Sequence, residues 1–164
     1  MEPGSDEYWM KMALAEAAKA AGRDEVPVGA LVVAGGKVIA RAHNLTETLN
    51  DPTAHAEMQA ITAATSYLGG KYLTGCTFYV TVEPCVMCAG ALAWSQVTEL
   101  VWGAPDLKKG YTTTGAAILH PKTVVRSGVL EEECSAIMKK FFRKRESKSL
   151  RHPRPFQKKC LGLL

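Results

Sequence analysis

Two short segments constrain the fold of this chain more than any other feature, because side chains from both have to meet at one point. The first is His55-Ala56-Glu57, and the second is Pro84-Cys85-Val86-Met87-Cys88. Cysteine thiolates and a neutral imidazole are preferred zinc ligands, and catalytic zinc sites typically use three protein ligands and leave a fourth position open. His55, Cys85 and Cys88 make three. A fold for this chain must therefore bring residue 55 beside residues 85 and 88.

The local pattern predicts that both segments lie at helix N-termini. Proline is favoured at the first helical position, so Pro84 predicts a helix on which Cys85 and Cys88 lie one turn apart on one face. Thr53 is a plausible N-cap of an alanine-rich helix, with His55 in its first turn. The positive end of a helix dipole lowers the pKa of nearby thiols. We therefore expect two helix N-termini to converge on one metal ion.

Glu57 is the remaining chemical group in these segments. Zinc lowers the pKa of a bound water to about 7, so a nearby carboxylate is needed mainly to move protons. Glu57 is only two residues from His55 and, on a helix, points to a different side. We predict that Glu57 is the general acid/base.

The order of the two segments is more specific than either alone. An isolated C-x-x-C could be a redox pair or half of a structural zinc site. Here it carries a preceding proline, follows a strand-like run over 77–82 and lies downstream of H-x-E, which is the signature of zinc deaminases. A redox role would leave His55 and Glu57 unexplained. A structural zinc would need a fourth ligand from residues that lack knuckle-like spacing to the pair: Cys76, Cys134, Cys160, His43 and His120.

On these motifs the chain resembles the tRNA adenosine deaminase branch of the cytidine deaminase superfamily, over residues 6 to about 145. The shared stretches are 25–30, Asn44, 51–57, 79–91 and 141–143. The resemblance implies hydrolytic deamination of adenosine to inosine at the wobble position of a tRNA anticodon loop, with one Zn²⁺ per subunit and Glu57 as proton shuttle. It also implies a homodimer, and that Asn44 and Asp106 bind the substrate nucleotide. From the sequence alone, a turn role for Asn44 is at least as good an interpretation.

One stretch departs from the family pattern. The family usually has a basic residue just before the Asp106 position and a small Gly/Ala-rich loop after it, whereas this chain has Pro105 and then Leu107-Lys108-Lys109-Gly110-Tyr111-Thr112-Thr113-Thr114. Because that loop would touch substrate, a deaminase of a free nucleobase or nucleoside, such as guanine or cytosine, remains the alternative. A non-catalytic RNA-binding subunit is disfavoured because Glu57 is present.

The secondary-structure pattern predicts an α/β fold. We expect an opening helix over 6–21, a hairpin of strands 28–33 and 37–42 joined by Gly35-Gly36, the two metal-bearing helices from 53 and 84, strands over 77–82, 97–102 and 123–126, and a closing helix from 130 to about 145. Strands that alternate with helices after a hairpin favour a mixed sheet with helices on both faces. The resemblance implies the cytidine deaminase-like three-layer α/β/α sandwich with a mixed five-stranded sheet.

Charge is concentrated at the C-terminal end, where half of the 20 Lys and Arg residues lie after residue 138. The 164 residues fit one domain, so we predict a zinc-dependent deaminase domain over 1–146 and a basic tail over 147–164. A basic run attracts phosphate backbones. The alternative interpretation is a solvated helix end followed by disordered chain.

Composition indicates a cytoplasmic protein without membrane contact. We recognise no secretory signal and no apolar run long enough to span a bilayer. Of the five cysteines, two are assigned to the metal. Since structural disulfides are rare in reducing compartments, we expect Cys76 and Cys134 to be buried and Cys160 to be an exposed thiol.

Overall fold

The computed structural model describes residues 1–151. Its elements are α1 (Asp6–Gly22), β1 (Gly29–Ala34), β2 (Lys37–His43), α2 (Ala56–Leu68), β3 (Cys76–Val82), α3 (Val86–Trp94), β4 (Glu99–Ala104), β5 (Val124–Ser127) and α4 (Glu131–Arg151), with a short 3₁₀ turn at Tyr111–Thr114. The five strands form one sheet in the order β2-β1-β3-β4-β5. β1 is antiparallel to β2 and β3, whereas β3, β4 and β5 run parallel. The predicted mixed five-stranded sheet is confirmed.

Helices cover both faces of the sheet, because successive strand residues point to opposite sides. On β1, Ala30 and Val32 pack with residues of α2 and α3 in one core cluster. Leu31 and Val33 pack with residues of α1 and α4 in the other. The predicted three-layer α/β/α arrangement is therefore confirmed.

The opening hairpin turns at Gly35 and Gly36, which have φ values of 57° and 71°. A two-residue turn with both central residues at positive φ matches the right-handed twist of the flanking strands and strongly favours glycine. The predicted hairpin is confirmed. It places the end of β2, and the segment 44–55 that follows, beside the start of β1, where the Asn44 N–H donates to the Val28 carbonyl at 3.1 Å.

Several predicted boundaries are wrong by a few residues. β4 begins at Glu99 rather than at Val97, whose carbonyl accepts the Thr123 hydroxyl at 2.7 Å and lies outside the strand pairing. α4 continues to Arg151, about six residues beyond the predicted end. Its acidic first turn and its basic last turn both suit the helix dipole, as expected. The predicted division at residue 146 falls inside this helix and stays a prediction, and residues 152–164, including Cys160, lie outside the described residues.

Cys76 and Cys134 are buried free thiols, as expected. Within residues 1–151, we find no helix with both the length and the apolar character needed to cross a membrane.

Candidate metal centre and active site

The structure brings His55, Cys85 and Cys88 together. One potential ligand atom from each side chain lies within 4.8 Å of the other two. The Nδ1 atom of His55 is 3.7 Å from Cys85 Sγ and 3.5 Å from Cys88 Sγ. His55 directly precedes α2 and Cys85 directly precedes α3, so the two helix N-termini converge at this point.

The spacing of these atoms fits a tetrahedral zinc ion. With Zn–N bonds near 2.0–2.1 Å and Zn–S bonds near 2.3 Å, a nitrogen and a sulfur ligand lie about 3.6 Å apart. The two observed nitrogen–sulfur distances, 3.7 and 3.5 Å, lie on either side of this value. A Cys₂His set suits zinc better than the hard cations that prefer oxygen ligands. Within residues 1–151 the group contains three donors, which would leave a fourth coordination position open.

The caps of the two helices differ from the prediction. α2 begins at Ala56, so His55 is its N-cap rather than a first-turn residue. The predicted cap, Thr53, instead donates its N–H and its hydroxyl to Asp51 Oδ1 at 2.8 and 2.7 Å. Aspartate two residues earlier offers Thr53 a local turn that competes with helix capping.

α3 likewise begins two residues later than its proline predicts, with Cys85 as N-cap and Pro84 outside the helix. Neither His55 nor Cys85 makes a side-chain capping hydrogen bond. Each helix thus lacks a cap usually worth about 1 kcal/mol. In return, both side chains are turned toward each other across the site.

The two thiols differ in acidity. A hydrogen bond from Cys88, helped by one from His55, lowers the pKa of Cys85 to about 4. The same hydrogen bond, together with burial, raises the pKa of Cys88 well above its ordinary value. The hydrogen bond with Cys85 also raises the pKa of His55. A metal that binds both thiols requires Cys88 to release its proton.

Glu57 lies in the first turn of α2 and is 4% exposed. Burial raises the pKa of its carboxyl to about 7, against the opposing effects of its own backbone N–H and of the charge on His55. Glu57 is not one of the three clustered donors. A carboxyl with a pKa near neutrality can both accept and donate a proton at working pH, which is what a general acid/base requires.

Asn44 follows β2 and is buried. Its Nδ2 atom donates to Glu25 Oε2 at 3.2 Å and to Thr46 Oγ1 at 3.3 Å. The structure therefore places the side-chain nitrogen of Asn44 in a turn network, in agreement with the turn interpretation. Contact between Asn44 and substrate stays a prediction.

Glu25 anchors that network, which sequence reasoning missed. Its carboxylate is fully buried and accepts the N–H groups of Glu47 at 3.2 Å and Thr48 at 2.6 Å. Burial acts to raise the pKa of Glu25, but these hydrogen bonds outweigh it and hold the pKa below its ordinary value. Glu25 thereby fixes the start of the segment that leads to His55. It belongs to a stretch shared with the family, which was the only sequence signal.

Asp106 lies just after β4 and is half-buried. Its Oδ1 atom accepts the N–H groups of Lys108 and Lys109, both at 3.0 Å, so the side chain shapes the turn of its own loop. Its backbone N–H donates to the buried carboxylate of Glu83 at 2.9 Å. Contact between Asp106 and substrate stays a prediction. Glu83 is the second buried carboxylate that sequence reasoning did not assign.

Comparison with protein families and curated proteins gives consistent matches. The family model described as MafB19-like deaminase matches residues 4–146. The tRNA-specific adenosine deaminase of Bacillus subtilis (strain 168) is 49% identical over 149 residues, covering 87% of this chain and 92% of that protein. The enzyme of the same name from Aquifex aeolicus (strain VF5) is 45% identical over 142 residues, covering 84% and 94%.

Solved structures agree with these matches. A structure from a study of A-to-I editing by tRNA:A34 deaminases at the wobble position of transfer RNA has a TM-score of 0.75 and 43% identity, over 79% of this chain and 98% of that one. A guanine deaminase from Bacillus subtilis has a TM-score of 0.61 and 33% identity, over 71% and 72%. The fold is thus shared with deaminases of both substrate types, and sequence identity is higher with the tRNA enzymes.

Proposed function

The chain belongs to the tRNA-specific adenosine deaminases, and on this premise we propose that it converts adenosine at the wobble position of a tRNA anticodon to inosine. Water adds across the C6=N1 bond of adenine, and the exocyclic C6–N6 bond then breaks to release ammonia and leave the C6 carbonyl of inosine. The observation that carries this proposal is the cluster of His55, Cys85 and Cys88 donors beside the buried, unligated carboxyl of Glu57.

We propose that His55, Cys85 and Cys88 hold one zinc ion per subunit. The observed donor distances and the donor chemistry support this assignment. When bound, zinc acidifies water so that hydroxide is available near neutral pH. The three side chains fix the ion at the N-termini of α2 and α3, between the segments 44–55 and 83–85.

Glu57 is the proton carrier in this proposal. It accepts the two protons of the attacking water one after the other, and it donates the first to ring nitrogen N1 and the second to the departing amine. Its burial keeps bulk water from exchanging these protons, and its pKa of about 7 lets it alternate between both roles. In this proposal, Asn44 and Asp106 contact the nucleotide.

A tRNA substrate is also supported by the low cost of extruding a loop nucleotide and by the positive charge of α4. A loop nucleotide is already partly unstacked, so flipping it into a pocket costs less than extracting it from a helix. Arg145 on the basic α4 lies 3.5 Å from Glu47, within the segment that leads to His55. Arg145 therefore borders the segment 44–55, where the positive charge of α4 can attract phosphates that flank the target nucleotide.

Deamination of a free base is the second candidate. It is favoured by the similarity to a guanine deaminase and by the loop 105–114, which departs from the usual pattern of the tRNA enzymes. The same donors and the same glutamate would serve either substrate.

We further propose that the protein is a homodimer that assembles through α3. This helix carries no charged residue, yet Val86, Met87 and Trp94 are 47%, 37% and 85% exposed. A helix that is apolar on all sides is normally buried. A second copy of the chain is the partner that we assign to this face. We also propose a cytoplasmic location, which suits the free thiols.

The test is ammonia release from zinc-loaded protein offered an anticodon stem-loop with adenosine at the wobble position, alongside a panel of free bases and nucleosides. We expect turnover of the stem-loop and inosine in the recovered RNA. Turnover of a free base alone would replace this proposal with the second candidate. The matched control is a stem-loop with guanosine at the same position.

A further inference from the structure

Glu83 ties the loop after β4 to the segment that carries Cys85. The residue is 4% exposed, and its backbone N–H donates to the Ala104 carbonyl at the end of β4. Its Oε2 atom accepts the Asp106 N–H at 2.9 Å. Its Oε1 atom accepts the Thr112 N–H at 3.1 Å and also the Thr112 hydroxyl. Both carboxylate oxygens therefore serve one loop, at points six residues apart.

Gly110, in the middle of that loop, is packed directly against this carboxylate. A Cβ atom at Gly110 would lie 2.2 Å from Glu83 Oε2 and 2.5 Å from the Asp106 carbonyl oxygen. Gly110 also forms an isolated antiparallel bridge with Cys85, and the next N–H, of Tyr111, donates to the Pro84 carbonyl at 2.9 Å. Loop 106–112 thus packs against the backbone of Cys85, a proposed metal ligand. Only glycine at position 110 leaves room for this packing.

This arrangement suits a loop that must keep one shape. A buried carboxylate that accepts three hydrogen bonds loses all of them if the loop moves away, and an unsatisfied buried acceptor is costly. The loop carries Asp106 and the exposed Lys108 and Lys109. The loop therefore holds one predicted substrate contact and two cations in fixed positions beside the site.

We propose that Glu83 is a positioning residue that holds loop 106–112 in its substrate-binding shape and thereby sets the affinity for the RNA substrate. This inference rests on the proposed function, because it takes the loop to border the bound nucleotide. Glu83 acts through the loop and touches no reacting atom. Its removal should weaken substrate binding more than it slows the chemical step, because the loop is taken to contact the bound nucleotide and not the reacting atoms.

The main test is Glu83→Gln in the full-length, zinc-loaded protein. Glutamine has nearly the same volume, but its NH₂ group cannot accept, so one N–H of the loop loses its acceptor. We expect KM for the anticodon stem-loop to rise about 10-fold with a much smaller change in kcat, as for the loss of a binding interaction. Amide hydrogen exchange over 106–112 should become faster, and the zinc content should not change.

Three further variants make the test specific. Gly110→Ala keeps the Glu83 side chain in the protein but forces its carboxylate and the loop apart, so it should reproduce the rise in KM. Thr112→Val removes only the hydroxyl bond and should raise KM about 2–3-fold, since the two N–H groups of the loop keep their acceptor. Glu16→Gln alters a different buried glutamate, on α1, and should leave KM unchanged.

The proposal is supported if Glu83→Gln and Gly110→Ala both raise KM with unchanged zinc content. It is overturned if loop exchange accelerates while KM stays normal, or if zinc is lost without any change in the loop. Should Glu83→Gln fail to fold, Thr112→Val decides by the same criteria. If the wild type deaminates only a free base, the proposed function fails separately, and KM for that base then tests Glu83.

Discussion

Glu57 and the three metal donors form one site, but their roles can be separated by substitution. Glu57→Gln keeps the shape of the side chain and removes its ability to carry a proton. Loss of a general acid/base typically costs 10²–10⁴-fold, so we expect kcat for ammonia release to fall by about that factor. Because Glu57 is not one of the three clustered donors, zinc per subunit should stay the same.

The control is Glu16→Gln, which should keep full activity. A fully active Glu57→Gln enzyme would exclude the proton-carrier role. Loss of zinc in that variant would instead make Glu57 a ligand.

Substitution of His55 gives the complementary prediction, in which zinc binding rather than proton transfer is lost. His55→Ala removes one of three donors, so we expect zinc affinity to fall steeply, measured by competition with a chromogenic chelator. His120→Ala, at a residue outside the donor cluster, is the matched control. Unchanged zinc affinity in His55→Ala would show that the cluster does not bind the metal as proposed.

Because the Cys88 proton must leave, metal uptake should also weaken as the pH falls.

At the scale of elements, the sequence predicted the type and the order of the helices and strands correctly. It placed the starts of α2 and α3 too early. The hairpin was predictable because Gly35 and Gly36 match the needs of a two-residue turn. The start of α2 was not, because Thr53 is a good N-cap whose side chain is taken by Asp51. In this chain the two cap positions are occupied by His55 and Cys85, whose side chains face each other in the donor cluster instead of capping their helices.

The donor cluster was predictable because each of its halves is a recognisable short motif, although His55 and Cys85 are 30 residues apart. The supporting carboxylates were not predictable, because no such motif assigns them a partner. Glu25 binds groups 22 and 23 residues away, and Glu83 binds groups 23 and 29 residues away. No periodicity or spacing marks such pairs, since they depend on how loops fold back onto the ends of strands. Asn44 shows the same limit, because its partner Glu25 is on another loop.

One element-scale prediction concerns the tie between α1, β4 and β5. Arg126 donates to Asp6 at 2.6 Å and to Glu99 at 3.2 Å. These contacts hold the pKa of Asp6 and of Glu99 below their ordinary values of 3.8 and 4.5. Carboxyls with lowered pKa stabilise the fold above the ordinary values, and this contribution is lost as the pH falls through the lower, folded-state values.

We therefore expect Arg126→Leu to destabilise the protein at pH 7 by about 1 kcal/mol, a modest figure because the Arg126 side chain is 38% exposed. The difference from wild type should shrink as the pH is lowered below 3.8, measured by urea unfolding at a series of pH values. Arg41→Leu, at an exposed strand position, is the control and should show no such convergence. A constant difference at all pH values would contradict the assignment.

At the scale of the whole molecule, α4 carries the charge that the proposed RNA substrate requires. A groove of about 1140 Å³ between the end of α1 and α4 is lined by five cations: Lys140, Lys144, Arg145, Lys148 and Arg151. Single-stranded nucleic acid loses affinity with salt at a slope of about −0.7 per neutralised phosphate. Reversing Lys140 and Lys144 to Glu should weaken stem-loop binding and make that slope shallower by about 1.4 or more.

The measurement is Kd for the stem-loop over a range of salt concentrations. Lys71→Glu with Lys122→Glu makes the same change in net charge on other surfaces and serves as the control. An equal effect in both pairs would mean that net charge, rather than the groove, governs binding. If reversal of Lys140 and Lys144 left the salt dependence of Kd unchanged, the basic end of α4 would be a solvated helix end without a role in RNA binding.

Assembly is the remaining whole-molecule prediction, and it follows from the exposed apolar side of α3. Trp94 is 85% exposed, so Trp94→Glu should fold normally, but a charge there would have to be desolvated in a dimer. We expect the wild type to sediment as a dimer at micromolar concentration and Trp94→Glu as a monomer. Leu150→Glu is the matched control, because Leu150 is 87% exposed on α4. A monomeric wild type, or a dimer that Trp94→Glu leaves intact, would show that α3 is not the interface.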